Sequence, residues 1–293
     1  MTGATRGAFN VIGPTALAMS VLIGLQLHLA QWRMPEQKLE HLMYLPDAQY
    51  LQLASVGYRE LMADALWIQA IQVMGDRKVS ESAGRWLYRA FDIITTLDPT
   101  FVRVYEAGGL ALTTLVVLPE ESNRLLMKGV EHNPGEWKLL FYLGINHYFE
   151  LYDDAKAAEY MARASRVPGA PPGLISIAAN LFASAKSPQQ AVDILATAYQ
   201  NTSDENAKQL LELRLKIMLA ERDVVMLEEA VNRYTSLHGR LPARLEELVA
   251  AGLIQQLPQE PAGGRYVYDS TTGTVTSSEF PERPKMTGRR RGR

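Results

Sequence analysis

The sequence predicts a mostly α-helical protein: an N-terminal transmembrane helix, a solenoid of antiparallel helix pairs, and a small C-terminal α+β module. Three observations carry that expectation. An uncharged apolar run opens the chain, and a small-large-small pattern at helical spacing recurs through its middle. A segment punctuated by Pro and Gly, with a Tyr-x-Tyr strand, closes it. With 293 residues, 47% of them apolar and 21% charged, the chain can bury a sizeable core.

The first element is the apolar run. No charge occurs from Gly7 to Trp32, and "FNVIGPTALAMSVLIGLQLHLA" is largely apolar. As a helix it would span roughly 39 Å at about 1.5 Å per residue, against a hydrocarbon core of about 30 Å. Trp32 and Arg33 close it with an aromatic and a cation suited to the headgroup layer. An uncleaved signal-anchor, with residues 8–30 in the membrane, is the expectation. A signal peptide cut near Ala16-Leu17-Ala18 and a buried soluble helix are the alternatives. Arg6 and the α-amino group favour a cytoplasmic N-terminus, although Arg33 and Lys38 lie just beyond the other end. The expected setting is therefore the inner membrane of a bacterium, crossed once, with an extracytoplasmic body.

Residues 1–34 are thus assigned to the anchor and 35–57 to a linker, in which "YLPDAQYLQLASVGY" mixes strand-like and loop-like character. Residues 58–230 form the helical array. Its first helix, "RELMADALWIQAIQVMGD", offers Leu61, Leu66, Ile71 and Met74 with Trp67 as a buried face. Four later segments share one pattern: Leu87/Phe91/Ile94, Ser122/Leu126/Gly129, Ala157/Met161/Ala164 and Ala191/Leu195/Ala198. Spacings of four and three put each set on one helix face. Pro99, Pro134 and Pro168 follow the first three sets, 35 and 34 residues apart, where proline stops a helix. Tyr105 with Gly109, Leu140 with Leu143-Gly144 and Ile175 with Ala178-Ala179 supply the facing helices.

These spacings over about residues 55–203 resemble the tetratricopeptide repeat (TPR) family, whose unit is an antiparallel helix pair. "LGINHYFELYDDAKAAEYMARASRVP" is the best copy. An irregular helical bundle is the alternative reading of the same faces. The resemblance implies a stacked superhelix whose groove is lined by the first helix of each unit. Carried over, that groove comprises Arg103, Glu106, Leu110, Thr113 and Thr114, then Lys138, Phe141, Ile145, Tyr148 and Phe149, then Ser176, Asn180 and Ser184. The Lys, Asn and Arg clamp by which some relatives hold a terminal carboxylate is missing. An apolar and aromatic centre suits another protein, entering as an amphipathic helix or an extended apolar peptide. Packing between repeats would account for Phe141 and Phe149 equally well.

After Asn206 two helices are expected, near "AKQLLELRLKIMLAERD" and "VMLEEAVNRYTSLHG", with Gly239 as a C-cap. Pro242 then starts a short helix that Gly252 ends, and "GGRYVYDSTTGTVTS" reads as a hairpin of Tyr266, Tyr268 and Val275. A lone hairpin is marginal in water, so it should pack on the short helix and the Tyr234-bearing helix. This 231–278 module resembles the C-terminal half of type II secretion pseudopilins, over about Val231 to Val275. That resemblance implies an envelope-machine setting, a pilus or secretion system. The family's N-terminal methylation signal is absent, and Asp269 alone is too few carboxylates for calcium.

What is missing narrows the function. There is no cysteine, no His-Glu-x-x-His, no phosphate loop, no Gly-x-Ser-x-Gly and no Gly-x-Gly-x-x-Gly after a strand. His28, His41, His132, His147 and His238 are scattered, Gly108-Gly109 suits close helix packing, and Asp153-Asp154 suits a helix cap. A binding protein without cofactor or metal is expected, not an enzyme. A net charge of -2 gives no pull toward nucleic acid. Residues 279–293 read as a solvated tail ending in "GRRRGR". Lipid or nucleic-acid binding through that tail is one alternative function, and a structural subunit of a membrane complex is another.

Overall fold

The computed structural model describes residues 19–21, 23–24, 45–46, 48–55, 57–75 and 79–284. Two compact units result, Met1–Pro46 and Asp47–Arg293. In the first, Met19–Val21 and Ile23–Gly24 are helical, with Met19, Val21 and Ile23 exposed. The remainder of the apolar run, and with it the expected anchor, lies outside the described residues. Of the tail expected at 279–293, residues 285–293 also lie outside them, whereas 279–284 are described and are not free in solvent, since Arg283 bonds Glu221 and Glu228. Among the described residues no helix is long and apolar enough to cross a membrane.

The second unit is mostly helical. Its helices are α1 (Ala48–Ala54), α2 (Arg59–Met74), α3 (Glu81–Leu97), α4 (Val102–Thr114), α5 (Pro119–His132), α6 (Trp137–Phe149), α7 (Asp154–Ser165), α8 (Leu174–Ser184), α9 (Pro188–Asn201), α10 (Glu205–His238) and α11 (Glu246–Ala250). An antiparallel pair, β1 (Tyr266–Asp269) and β2 (Thr274–Ser277), follows. From α1 to α10 each helix packs on the next, and α1 touches α3, α3 touches α5, α4 touches α6, and α8 touches α10. That is solenoid-like packing.

The repeated faces explain it. Leu87, Phe91 and Ile94 on α3, Ser122, Leu126 and Gly129 on α5, and Ala157, Met161 and Ala164 on α7 are all buried. Ala191 and Leu195 on α9 are buried too, while Ala198 is half-buried. Small residues allow the facing helix to approach. A Cβ on Gly109 would lie 2.7 Å from Leu126 Cδ2, and one on Gly108 2.9 Å from Phe91 and Leu125, so helix packing accounts for this Gly-Gly pair. Hydrogen bonds then tie one pair to the next. Asn133 Nδ2 donates to the Pro99 carbonyl (2.9 Å), 34 residues back. Lys128 Nζ reaches Asp92 Oδ1 and Thr96 Oγ1 (both 2.7 Å) from α5 to α3.

Helix starts follow local chemistry. Ser80, Asp153 and Asp204 accept backbone N–H bonds as N-caps of α3, α7 and α10. Pro119 and Pro188 open α5 and α9, where a missing N–H costs nothing. Gly239 ends α10 at φ 69°, a left-handed conformation that favours glycine.

Three expectations need correction. The stretch at 36–57 holds a helix, α1, where strand-like or loop character was anticipated. On α2 the buried side chains are Ala63, Ala70 and Val73, whereas Leu61 is 65% and Ile71 46% exposed. Apolar residues occur on every side of this helix, so some stay exposed whichever face packs. Leu66, Trp67 and Met74 are half-buried, with Trp67 set against Phe91 and Phe101. Finally, the two helices expected after Asn206 are one 34-residue helix, α10, roughly 51 Å long. Neither Pro nor Gly interrupts it, and Asp223 at the supposed break is buried as a hydrogen-bond acceptor.

The C-terminal half of α10 is the floor of the module. Val224, Leu227, Ala230, Val231 and Tyr234 form a core with Leu245, Leu248 and Val275, against which Tyr266 and Tyr268 pack. The hairpin pairs Tyr268 with Val275 and turns through Gly273 at φ 75°. It is fastened by hydroxyls: Tyr266 donates to Asp223 Oδ2 (2.9 Å) and Tyr268 to the Pro242 carbonyl (2.9 Å). The short helix begins at Glu246 rather than at Pro242, and Gly252 ends it at φ 67°.

Candidate functional site

Of the residues assigned to a groove, the structure brings together those of α4 and α6. Lys138 Nζ lies 3.4 Å from Glu106 Oε1, so the two helices present one face. Arg103 and Lys138 are exposed, and Glu106, Phe141 and Ile145 are half-buried. Leu110 is 44% and Phe149 40% exposed, an apolar pair reaching solvent on successive first helices. Trp137 and Phe141 meet edge to face at 6.0 Å, which fixes the Phe141 ring.

Other assigned residues serve the fold. Tyr148 is only 3% exposed and meets Phe149 edge-on, so it belongs between helices and not on the open face. Thr113 is buried and Thr114 exposed; both donate back to the Leu110 carbonyl within α4. Ser184 is exposed and Ser176 half-buried. Beneath the face, Asn146 donates to Ser122 Oγ (2.8 Å) and Asn123 Oδ1 (2.9 Å). Ser122 in turn donates to the Gly109 carbonyl (2.7 Å), so α4, α5 and α6 share one buried polar chain.

Asn180, one helix pair further along, opens onto a cavity of about 860 Å³ that the sequence did not disclose. Arg214 and Ile217 of α10 line it, with Thr274–Thr276 of β2 and Pro281–Pro284 beyond. The buried Arg214 Nε has no hydrogen-bond partner among the described residues. The closing segment is clamped: Arg283 grips buried Glu221 through Nη2 (2.6 Å) and Nε (3.0 Å), and Glu228 through Nη1 (2.9 Å). Those bonds hold the Arg283 guanidinium above its ordinary range.

Burial displaces several titratable groups, His147 and Tyr266 among them. Burial lowers His147, whose ring stacks on Tyr160 at 5.3 Å and whose Nδ1 has no partner among the described residues. Burial raises Tyr266, with the Asp223 carboxylate adding to the effect. Among the described residues no three His, Asp or Glu side chains gather to hold a metal ion.

The described body is therefore a mostly helical, solenoid-like stack followed by a two-stranded module, with a partly apolar face on α4 and α6 and a cavity at Asn180. Compared with known protein families, curated proteins and solved structures, the chain finds no match in any of the three.

Proposed function

We propose that this chain is a membrane-anchored, TPR-like scaffold that holds a protein partner on the face made by its first helices. The observation that carries this reading is that Leu110, Phe141, Ile145 and Phe149 all reach solvent on neighbouring helices, beside the Lys138–Glu106 pair. Scattered apolar residues are ordinary on a protein surface, but a row on one face is how amphipathic helices and extended apolar peptides are gripped. Asn180, also assigned to the groove, lines the cavity with Arg214. In this reading the uncharged run from Gly7 to Trp32 is the anchor in a bacterial inner membrane, and Arg6 with the α-amino group favours a cytoplasmic N-terminus and so an extracytoplasmic body. The pseudopilin resemblance of the C-terminal module adds the setting, assembly of a pilus or secretion-type machine.

The test is purification of the full chain from its native membranes, with and without Leu110→Asp and Ile145→Asp. Both residues reach solvent, so the helices should persist, as circular dichroism would verify. The expected result is a co-purifying protein that the double variant loses. Identical co-purification with both proteins would count against the groove.

A further inference from the structure

The segment from Arg265 to Asp269 reads Arg-Tyr-Val-Tyr-Asp, the same from either end except that its two charges are opposite. It is β1 with the residue before it. Arg265, Val267 and Asp269 are exposed, while Tyr266 and Tyr268 are half-buried against the core of the module. Among the described residues β1 has one strand neighbour, β2, so its other edge is unpaired.

The ladder decides which backbone groups lie on that open edge. The Ser278 N–H donates to the Arg265 carbonyl (2.9 Å), which makes those residues a bonded pair. Antiparallel pairs alternate between bonded and non-bonded. Val267 with Thr276 is therefore bonded, whereas Tyr266 with Ser277 and Tyr268 with Val275 are not. The N–H and C=O groups of Tyr266 and Tyr268 consequently turn away from β2, on the side where a cavity of about 650 Å³ opens. The cavity carries no excess of either sign. Arg244 and Arg265 face Glu246 and Glu260 in its lining, and Glu279 lies against Gly264. A strongly acidic or strongly basic partner has nothing to gain there; a partner with one charge of each sign does.

We infer that two copies of this chain pair through the open edges of β1, antiparallel and centred on Val267. Unpaired strand edges template further strands, and a two-fold interface must be complementary to itself. In this register Tyr266 meets Tyr268 of the second copy. Both turn their main-chain groups outward, so two bonded pairs can form. A shift by one residue would set outward groups against inward ones. A shift by two would set a charge against Val267. Only the centred register brings Arg265 opposite Asp269 of the second copy, twice by symmetry, and opposite charges across a strand pair attract. Asp269 accepts from Thr271 and Thr272 and keeps room for a further donor. The edge is short, so the pairing is weak and depends on concentration. This interface is separate from the α4–α6 face and does not depend on it.

The chain has no cysteine, so a single introduced thiol reports the pairing. In the inferred register Val267 faces Val267 of the second copy in a non-bonded pair, with Cα atoms about 4.5 Å apart, within disulfide reach. The full chain carrying Val267→Cys, oxidised in detergent over a range of concentrations, should give a disulfide-linked dimer. Ser270→Cys, roughly 20 Å from its counterpart in this register, should not. Adding Arg265→Glu to Val267→Cys sets carboxylates against each other, and about ten-fold more protein should be needed for the same yield. All three substituted residues are exposed, so folding is not at stake. Three results would overturn the inference: no dimer from Val267→Cys, equal dimer from Ser270→Cys, or a yield indifferent to Arg265→Glu.

Discussion

Tyr105 illustrates how one side chain couples packing to stability. It is fully buried on α4, and a Cβ on Gly129 of α5 would lie 2.8 Å from its ring. Burial raises its hydroxyl to about 12, against about 10 for an unfolded tyrosine. The folded chain thus keeps this phenol neutral where the unfolded chain ionises. The stabilisation is complete below about pH 10 and is lost as pH rises from there through about 12. Burial of Tyr266 adds to the loss in the same direction. Tyr105→Phe should change stability at pH 7 by less than about 1 kcal/mol, since the hydroxyl bond to the Thr95 carbonyl is long at 3.5 Å. Above pH 10 the variant should lose about 2 kcal/mol less than the parent, as urea unfolding at pH 7, 10 and 11.5 would show. Parallel pH curves for the two proteins would contradict this.

Elements differ in how plainly the sequence announces them. The helix pairs were legible because small-large-small faces and recurring prolines are local signals, and the structure buries those faces in α3, α5, α7 and α9. The unbroken α10 was less so, because Arg222-Asp223 looks like a polar break. Only the fold reveals that Asp223 is buried to receive the Tyr266 hydroxyl from 43 residues away. The segment after β2 was illegible for the same reason, as its Arg283 meets Glu221 across 62 residues. Removing that arginine strands a buried carboxylate. Arg283→Ala should cost about 2 kcal/mol, below the roughly 3–5 of a fully buried pair because the Arg283 side chain is 39% exposed. Phe280 should then become open to chymotrypsin. Unchanged stability and unchanged cleavage would show that the clamp holds nothing in place.

At the scale of the whole molecule, Asp47–Arg293 is one compact unit in which α10 belongs to two neighbourhoods at once. This helix packs on α9, and its second half, from Val224 to Tyr234, carries the hairpin. Of the residues assigned to a groove, Arg103, Leu110, Lys138 and Phe149 are exposed, and Glu106, Phe141 and Ile145 are half-buried. Tyr148 shows the limit of repeat register, since one residue's rotation separates groove from core. Arg214 and the cavity beside Asn180 needed the return of the C-terminal segment, which no helical period encodes. The most direct test of partner binding is photo-crosslinking in cells, from a probe at Ile145 and a control probe at exposed Glu159 on α7. A discrete adduct at Ile145, absent at Glu159 and abolished by Leu110→Asp, is the result expected of a first-helix groove. Adducts of equal yield at both positions, or none at Ile145, would contradict it.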